Sequence, residues 1–415
     1  DPEPNRYYPD STAPELDYEE KTKGFGLGGP IIEDTLFFYV NYEKTEEPQP
    51  VARGPEGSTA SNFANVSASD VQTIQDIARE VYQVEPGDWN INPVEEDEKV
   101  LAKIDWNINN DHRLAVTYQS TEGQQTRNNG GSTGTLTLSS NWYSNTQELK
   151  AYSAQLYSNW TSDFSTEIKL SKKEVDNGRV PLLGKNYGQA RIETGEAAVY
   201  IGPDYSSQAN ELQNDTTQFQ FNAEYLKGDH LIQAGYDYTS VDVYNLFAEA
   251  TLGAWEFDSI EDFRNQVASG FEYKNHPSGN VDNVAAIFTQ GTHSIYLQDT
   301  WTPTWDLEIT YGVRYEQIFA DDQPRLNDRF VQRYQFANTE NLDGVDIILP
   351  RVGFKWNFAD DMTLRGGVGK YSGGRPNVWI SNAYTNDGIG AVNFDPSSVD
   401  SSVYLENVDL ANVPQ

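Results

Sequence analysis

Lys99-Val100-Leu101-Ala102-Lys103-Ile104-Asp105-Trp106, then Asn107 to Asp111, then Arg113-Leu114-Ala115-Val116-Thr117-Tyr118-Gln119 is two runs of alternating character about a short polar turn. Side chains of a strand alternate between two faces, so Val100, Ala102, Ile104 and Trp106 share one face with Leu114, Val116 and Tyr118. Lys99, Lys103, Asp105, Arg113, Thr117 and Gln119 take the other. A β-hairpin with one apolar and one charged face is the expected structure.

The same unit recurs in both directions along the chain. Alternation predicts paired strands over 23–31 and 35–46, 98–107 and 112–122, 146–160 and 164–175, 216–226 and 230–247, 292–302 and 306–318, and 348–358 and 362–373. The turns within pairs are short and turn-prone, as in Glu33-Asp34, Asn109-Asn110, Lys227-Gly228-Asp229, Thr302-Pro303-Thr304 and Asp360-Asp361. The connections between pairs run to roughly 25–50 residues, too long to be passive in a compact domain. Two of them carry helix signals. Ser69 with Gln72 makes a capping box ahead of Val71, Ile74, Ile77 and Val81, and Ser259 precedes Phe263 and Val267, with Gly270 as a stop. Arg127 to Gly134 has no periodicity and is expected to be a mobile loop tip.

The 415 residues show no composition break, so one large architecture is expected rather than two or three domains. A net charge of -34 would repel a phosphate backbone and so disfavours nucleic-acid binding. With no cysteine, the chain has no disulfide, thiolate metal site or cysteine nucleophile. The longest apolar runs, Leu36 to Val40 and Val284 to Phe288, are far shorter than the roughly 20 residues of a membrane-spanning helix. Any crossing of a bilayer must therefore be made by strands. The start, Asp1-Pro2-Glu3-Pro4, is neither an initiator methionine nor a signal peptide, and a piece of a longer chain is expected.

A soluble sandwich or propeller would alternate too, so the large aromatics decide. Trp106, Trp160, Phe164, Tyr225, Trp301, Trp305, Trp356 and Phe358 all lie within a few residues of a short turn. The strand-borne ones continue the apolar faces. The lipid–water interface selects such a girdle, because the rings are apolar while their N–H and O–H groups stay wet. The opposite faces carry Lys103, Asp105, Arg113, Lys169, Asp237, Arg314, Arg351 and Arg365, which suit a water-filled or plugged lumen. Turned to lipid, each Lys or Arg near the midplane would cost about 2–4 kcal/mol. The expected fold is all-β, a transmembrane antiparallel up-and-down barrel with about twelve strands in this chain and long outer loops holding short helices.

Gly24-Phe25-Gly26-Leu27-Gly28-Gly29-Pro30-Ile31-Ile32-Glu33-Asp34-Thr35-Leu36-Phe37-Phe38-Tyr39-Val40-Asn41-Tyr42-Glu43 resembles an early barrel hairpin of Oar-like TonB-dependent outer-membrane receptors. Tyr296 to Pro303 with Leu307 to Glu316 is similar to a later hairpin, and Leu364 to Tyr371 to the strand after it. The resemblance implies a barrel of about 22 strands around an N-terminal plug in a Gram-negative outer membrane. It also implies contact with outer-membrane lipid and lipopolysaccharide, and coupling to TonB for energised uptake of a siderophore, oligosaccharide or peptide. Residues 1–415 show no plug, TonB box, first strand or closing strand of that pattern. About twelve strands with two bare edges cannot sit in lipid alone, since unpaired edge groups find no partner there. The middle part of such a receptor is therefore expected. The alternative is a secreted or surface-held β-rich adhesin or carbohydrate-binding protein.

Catalytic chemistry is not expected. Gly130-Gly131-Ser132-Thr133-Gly134 fits a nucleophile-elbow pattern but lacks the strand and helix that such a turn requires. His112, His230, His276 and His293 have no metal-ligand spacing. Asp321-Asp322, Asp360-Asp361 and Asp343 with Asp346 could hold loop calcium, but none matches a calcium loop and turn-forming roles suffice. No cofactor is expected. Trp89, Trp142, Tyr143, Trp255, Trp379 and Tyr384, with Arg375, lie in long connections away from the turns. Stacking on a sugar or peptide ligand would explain them, and so would packing of loop on loop.

Overall fold

The structure is a computed structural model that describes residues 19–49, 53–60, 62–128, 132–374, 377–393 and 402–413. Twelve strands form one sheet in sequence order. They are β1 (Lys21–Ile32), β2 (Leu36–Pro48), β3 (Val94–Asn107), β4 (His112–Arg127), β5 (Tyr143–Asn159), β6 (Phe164–Pro181), β7 (Ala209–Lys227), β8 (His230–Ala248), β9 (Ala286–Thr304), β10 (Leu307–Ala320), β11 (Asp346–Ala359) and β12 (Met362–Gly369). Every neighbouring pair is antiparallel, and the sheet is open, with β1 and β12 at its edges. All six expected hairpins are present, but between β9 and β10 the turn is Trp305-Asp306, while the expected Thr302-Pro303-Thr304 belongs to β9. Gly228 takes a φ of +60° in the turn between β7 and β8, as the mirror-image hairpin turns require.

The register fixes the tilt of the strands. One unbroken row of opposed residues runs Leu36, Trp106, Leu114, Leu156, Ile168, Phe221, Tyr236, Ile295, Tyr315 and Ile348. It starts at the first residue of β2, beside a short turn, and ends near the start of β11, beside a long connection. A row perpendicular to the strands that climbs from one end of the sheet to the other means strands inclined to the sheet's axis, the stagger of a barrel wall. Every member of that row is apolar or aromatic.

Curvature distinguishes the faces. On the apolar face Ile295 is 60% exposed and Leu297 55% exposed, whereas the side chains of Arg314 and Asp237 on the other face keep 29% and 21%. The apolar face is thus convex and the polar face concave. The concave side is cross-linked across strands: Arg314 donates to Asp237 at 2.7 Å, Gln233 to Glu224 at 2.7 Å, and Arg351 to Gln298 at 2.6 Å, while Arg314 also donates to Glu316 of its own strand at 2.7 Å. No helix among the described residues is long and apolar enough to cross a membrane.

The long connections differ most from expectation. They fold onto one another into a cap. Strands Thr135–Thr137, Gln189–Glu193, Ala198–Ile201, Ala254–Phe257 and Gly270–Glu272, from three separate connections, form a second, five-stranded sheet. Helices α1 (Ala68–Glu80) and α2 (Ile260–Arg264) supply Val71, Ile74, Ile77 and Phe263 to a core completed by Ile192, Val199, Ile201, Phe257 and Leu410. The segment after β12 joins it too, through Gly188 N–H to Leu410 O at 2.7 Å and Trp255 Nε1–H to Tyr404 O at 3.1 Å.

The helix signals need two corrections. Ser67, not Ser69, caps α1: its Oγ accepts from Asp70 N–H at 3.0 Å, and the chain turns helical two residues sooner. Ser259 does cap α2, but Asn265 ends it, leaving Val267 exposed beyond the helix. Of the loop expected to be a mobile tip, residues 129–131 lie outside the described residues, and Thr133 O accepts from Asn65 N–H at 2.8 Å, tying two connections together.

Candidate functional site

The five-stranded sheet presents one face to the cap core and leaves the other open. In Gln189-Ala190-Arg191-Ile192-Glu193, Ala190 and Ile192 are buried in the core, so Gln189, Arg191 and Glu193 face away from it. In Ala198–Ile201 the buried Val199 and Ile201 leave Tyr200 on the open side. Cross-strand register then sets Thr137, Tyr200, Arg191, Glu256 and Gly270 in one row, and Gln189, Ala254 and Glu272 in the next. Gly270 and Ala254 carry little or no side chain among these larger neighbours. A cleft of about 640 Å³ opens there, rimmed by Asn141, Asp204 and Tyr205. These rim residues immediately precede β5 and β7, so the cleft sits at the head of those strands.

Its polar groups are held in place from below. Gln189 Oε1 accepts from Tyr205 N–H at 3.0 Å and from Asn141 Nδ2 at 3.1 Å, and the same Nδ2 reaches Gly202 O at 2.8 Å. Gly202 has a φ of +76°, and an added Cβ would lie 2.2 Å from Gly188 O, so the turn that carries the rim tolerates no side chain. Arg191 donates Nε to Tyr200 Oη at 3.0 Å and Nη2 to Glu193. Burial works against the Arg191 charge, but the Tyr200 and Glu193 contacts outweigh it and raise its pKa. Glu256 and Glu272 are exposed and make no side-chain ion pair among the described residues.

The residues expected to meet ligand are dispersed. Trp142 is buried, its Nε1–H shared between Thr137 O at 3.1 Å and Thr137 Oγ1 at 2.9 Å. Tyr143 is buried with the Arg179 guanidinium 4.9 Å over its ring, and Tyr384 stacks on Phe288 at 4.7 Å. Trp255 is buried, packs on Phe271 and touches only the cleft floor, while Trp89 is half-buried over Gly54. A cap without disulfides needs a hydrophobic core, and these rings furnish it. Trp379 alone is open, 77% exposed on α3 (Asn377–Thr385), and Arg375 lies outside the described residues. Helix α3 lies on the concave face of β8 and β9, where Asn245 Nδ2 donates to Ser381 Oγ at 2.7 Å.

The cleft escaped the sequence reading, although the Gln189 to Glu193 alternation and the Gly195 turn mark a hairpin inside a long connection. The turn aromatics Trp106, Trp160, Tyr225, Trp301, Trp305, Trp356 and Phe358 are exposed, and Phe164 half-exposed, at the short-turn end. Of the acidic pairs, Asp322 accepts from Thr289 N–H at 2.7 Å and Asp343 from Ala320 N–H at 3.2 Å, and Asp346 accepts from Tyr315 Oη–H at 3.1 Å. Among the described residues no three His, Asp or Glu side chains are grouped to hold a metal.

Two buried phenols under the cap make it alkali-sensitive. Tyr187 donates to Glu85 O at 2.6 Å and Tyr82 to Phe263 O at 2.7 Å. Burial pushes the Tyr187 phenol up to about 12 and raises Tyr82 as well. A raised phenol pKa favours the folded state below the unfolded value of about 10, and that contribution is lost as pH climbs through the folded value. For Tyr187 it amounts to about 2–3 kcal/mol. Protease resistance of the cap is expected to fall above pH 10 or so, and the Tyr82→Phe/Tyr187→Phe pair to remove that step. An unchanged pH profile in the pair would refute the assignment.

No curated protein sequence matches the chain. Among solved structures it is similar to the outer membrane transporter YddB from Escherichia coli, with 9% identity and a TM-score of 0.57 over 91% of this chain and 41% of that one. The ferric yersiniabactin uptake receptor FyuA from Yersinia pestis gives 10% identity and a TM-score of 0.49, over 84% of this chain and 44% of that one. The ferric enterobactin receptor PfeA from Pseudomonas aeruginosa gives 14% and 0.47, over 86% and 42%. The chain thus spans well under half the length of each of these proteins. Residues 3–409 match the outer membrane beta barrel domain family; with its tilted antiparallel wall, convex apolar face and long-loop cap, the chain belongs to that family and resides in the outer membrane.

Proposed function

We propose that the chain is the central wall of a TonB-dependent outer-membrane transporter of the Oar-like kind, working in nutrient uptake with no catalytic step. The observation that carries this is the open sheet: twelve tilted strands with bare edges at β1 and β12 and a charged concave face. Such a wall is stable in lipid only when further strands close it, and its polar interior suits a plugged lumen. The likeness to YddB, described as an outer membrane transporter, supports the same reading, as does that protein's greater length. The aromatic-flanked short turns then form the periplasmic girdle, and the cap faces outward, where a nutrient is first met. A plug outside this chain would answer TonB.

The test is uptake by cells that produce the intact receptor. Receptor-dependent accumulation of a labelled nutrient, drawn from a mixture of oligosaccharides, peptides and ferric siderophores, is expected to collapse when TonB is deleted. Accumulation that continues without TonB would overturn the proposal.

A further inference from the structure

The cleft on the open face of the cap sheet has unspent hydrogen-bonding capacity. Gln189 and Asn141 are both more than nine-tenths buried. Gln189 Oε1 and Asn141 Nδ2 are engaged with each other and with Tyr205 N–H and Gly202 O, which fixes both amide orientations. Gln189 Nε2 and Asn141 Oδ1 are left over. Among the described residues neither atom makes a hydrogen bond, and both residues line the cleft. A buried amide pair presenting one donor and one acceptor to an open cleft is costly unless water or a ligand completes it.

The other groups narrow the chemistry. Arg191 is engaged by Glu193 and Tyr200, and Glu256 and Glu272 add two carboxylates in adjacent rows of the same face. An anionic ligand would meet uncompensated negative charge there. A ligand with many hydroxyls, by contrast, can donate to both carboxylates and to Asn141 Oδ1, accept from Gln189 Nε2, and lay an apolar ring face on Tyr205, which is 37% exposed. The volume of about 640 Å³ is within the range of small-ligand sites. We infer that this cleft binds a short uncharged oligosaccharide, which rests on the cap being the outer capture surface of an uptake protein and assigns that surface its substrate class.

The intact receptor, purified in a polyoxyethylene detergent so that the micelle carries no sugar, is titrated calorimetrically with the hexasaccharides of maltose, cellulose, laminarin and chitin, and with ferric citrate as anion. At least one hexasaccharide is expected to bind and ferric citrate not to. Glu256→Gln and Glu272→Gln are each expected to weaken that binding about tenfold, the worth of one hydrogen bond to a charged group. Both carboxylates are exposed, and unchanged trypsin resistance of the cap confirms that each variant folds. Failure of all four sugars, ferric citrate binding more tightly than any of them, or wild-type affinity in both variants would overturn the inference. TonB-dependent uptake without sugar binding refutes the ligand class alone; sugar binding with TonB-independent uptake refutes the transport reading alone.

Discussion

Phe263→Ala is expected to open the cap to protease while the barrel wall stays folded. The Phe263 ring is fully buried, stacks on Tyr82 at 4.6 Å, meets Phe257 edge-on at 5.0 Å, and belongs to the helix whose backbone holds the Tyr82 hydroxyl. Truncating such a ring costs about 3–5 kcal/mol in lost transfer energy and cavity. The cap's cohesion comes from this single core, to which several connections each contribute a few side chains. The wall is held separately by its own ladder from β1 to β12. Limited proteolysis should therefore cut within 182–208 and 249–285 while the heat-resistant migration of the intact receptor on a denaturing gel is unchanged. Loss of both together, or of neither, would show that cap and wall are not energetically separate.

That separation explains what the sequence reveals and what it conceals. In β3 and β4 the two faces meet different solvents, so Val100, Ala102, Ile104 and Trp106 alternate cleanly with charged neighbours and the hairpin is legible. Where a strand continues beyond the lipid, both faces are wet and the alternation fades. Hence β7 begins at Ala209 rather than 216, where Gln213 to Thr217 is polar on both sides. By contrast, β9 begins at Ala286 rather than 292 because Ala286 and Phe288 are buried beside Tyr384 while Ile287 on the other face is apolar too, so no alternation shows. Helix α1 is legible because Val71, Ile74 and Ile77 repeat locally, and only its cap is ambiguous, between Ser67 and Ser69. The cap sheet is not. Gln189–Glu193 lies parallel to Ala254–Phe257, and Ala198–Ile201 parallel to Thr135–Thr137, pairings across connections that local pattern cannot show. The cleft shares that fate: Glu256 and Glu272 are two acids among 63 until register sets them on one face.

Register also yields the sharpest test of which face meets lipid, through two adjacent residues of β7. Phe221 belongs to the climbing apolar row, between Ile168 and Tyr236, midway along the convex face. Gln220, one residue earlier, points to the concave side between Lys169 and Asp237. Phe221→Arg is expected to destabilise the receptor in lipid vesicles by about 2–4 kcal/mol for the charge alone, with loss of the ring adding to it. Gln220→Arg should be close to neutral, because a wet lumen solvates the guanidinium and Asp237 attracts it while Lys169 repels it. Urea unfolding followed by tryptophan emission measures both. A soluble β-fold with its polar face outward would bury Phe221 in protein and would fold without vesicles; a barrel with the opposite orientation would reverse the two results. The contrast is large because a one-residue step moves a side chain between lipid and water, whereas along a face the environment changes only gradually.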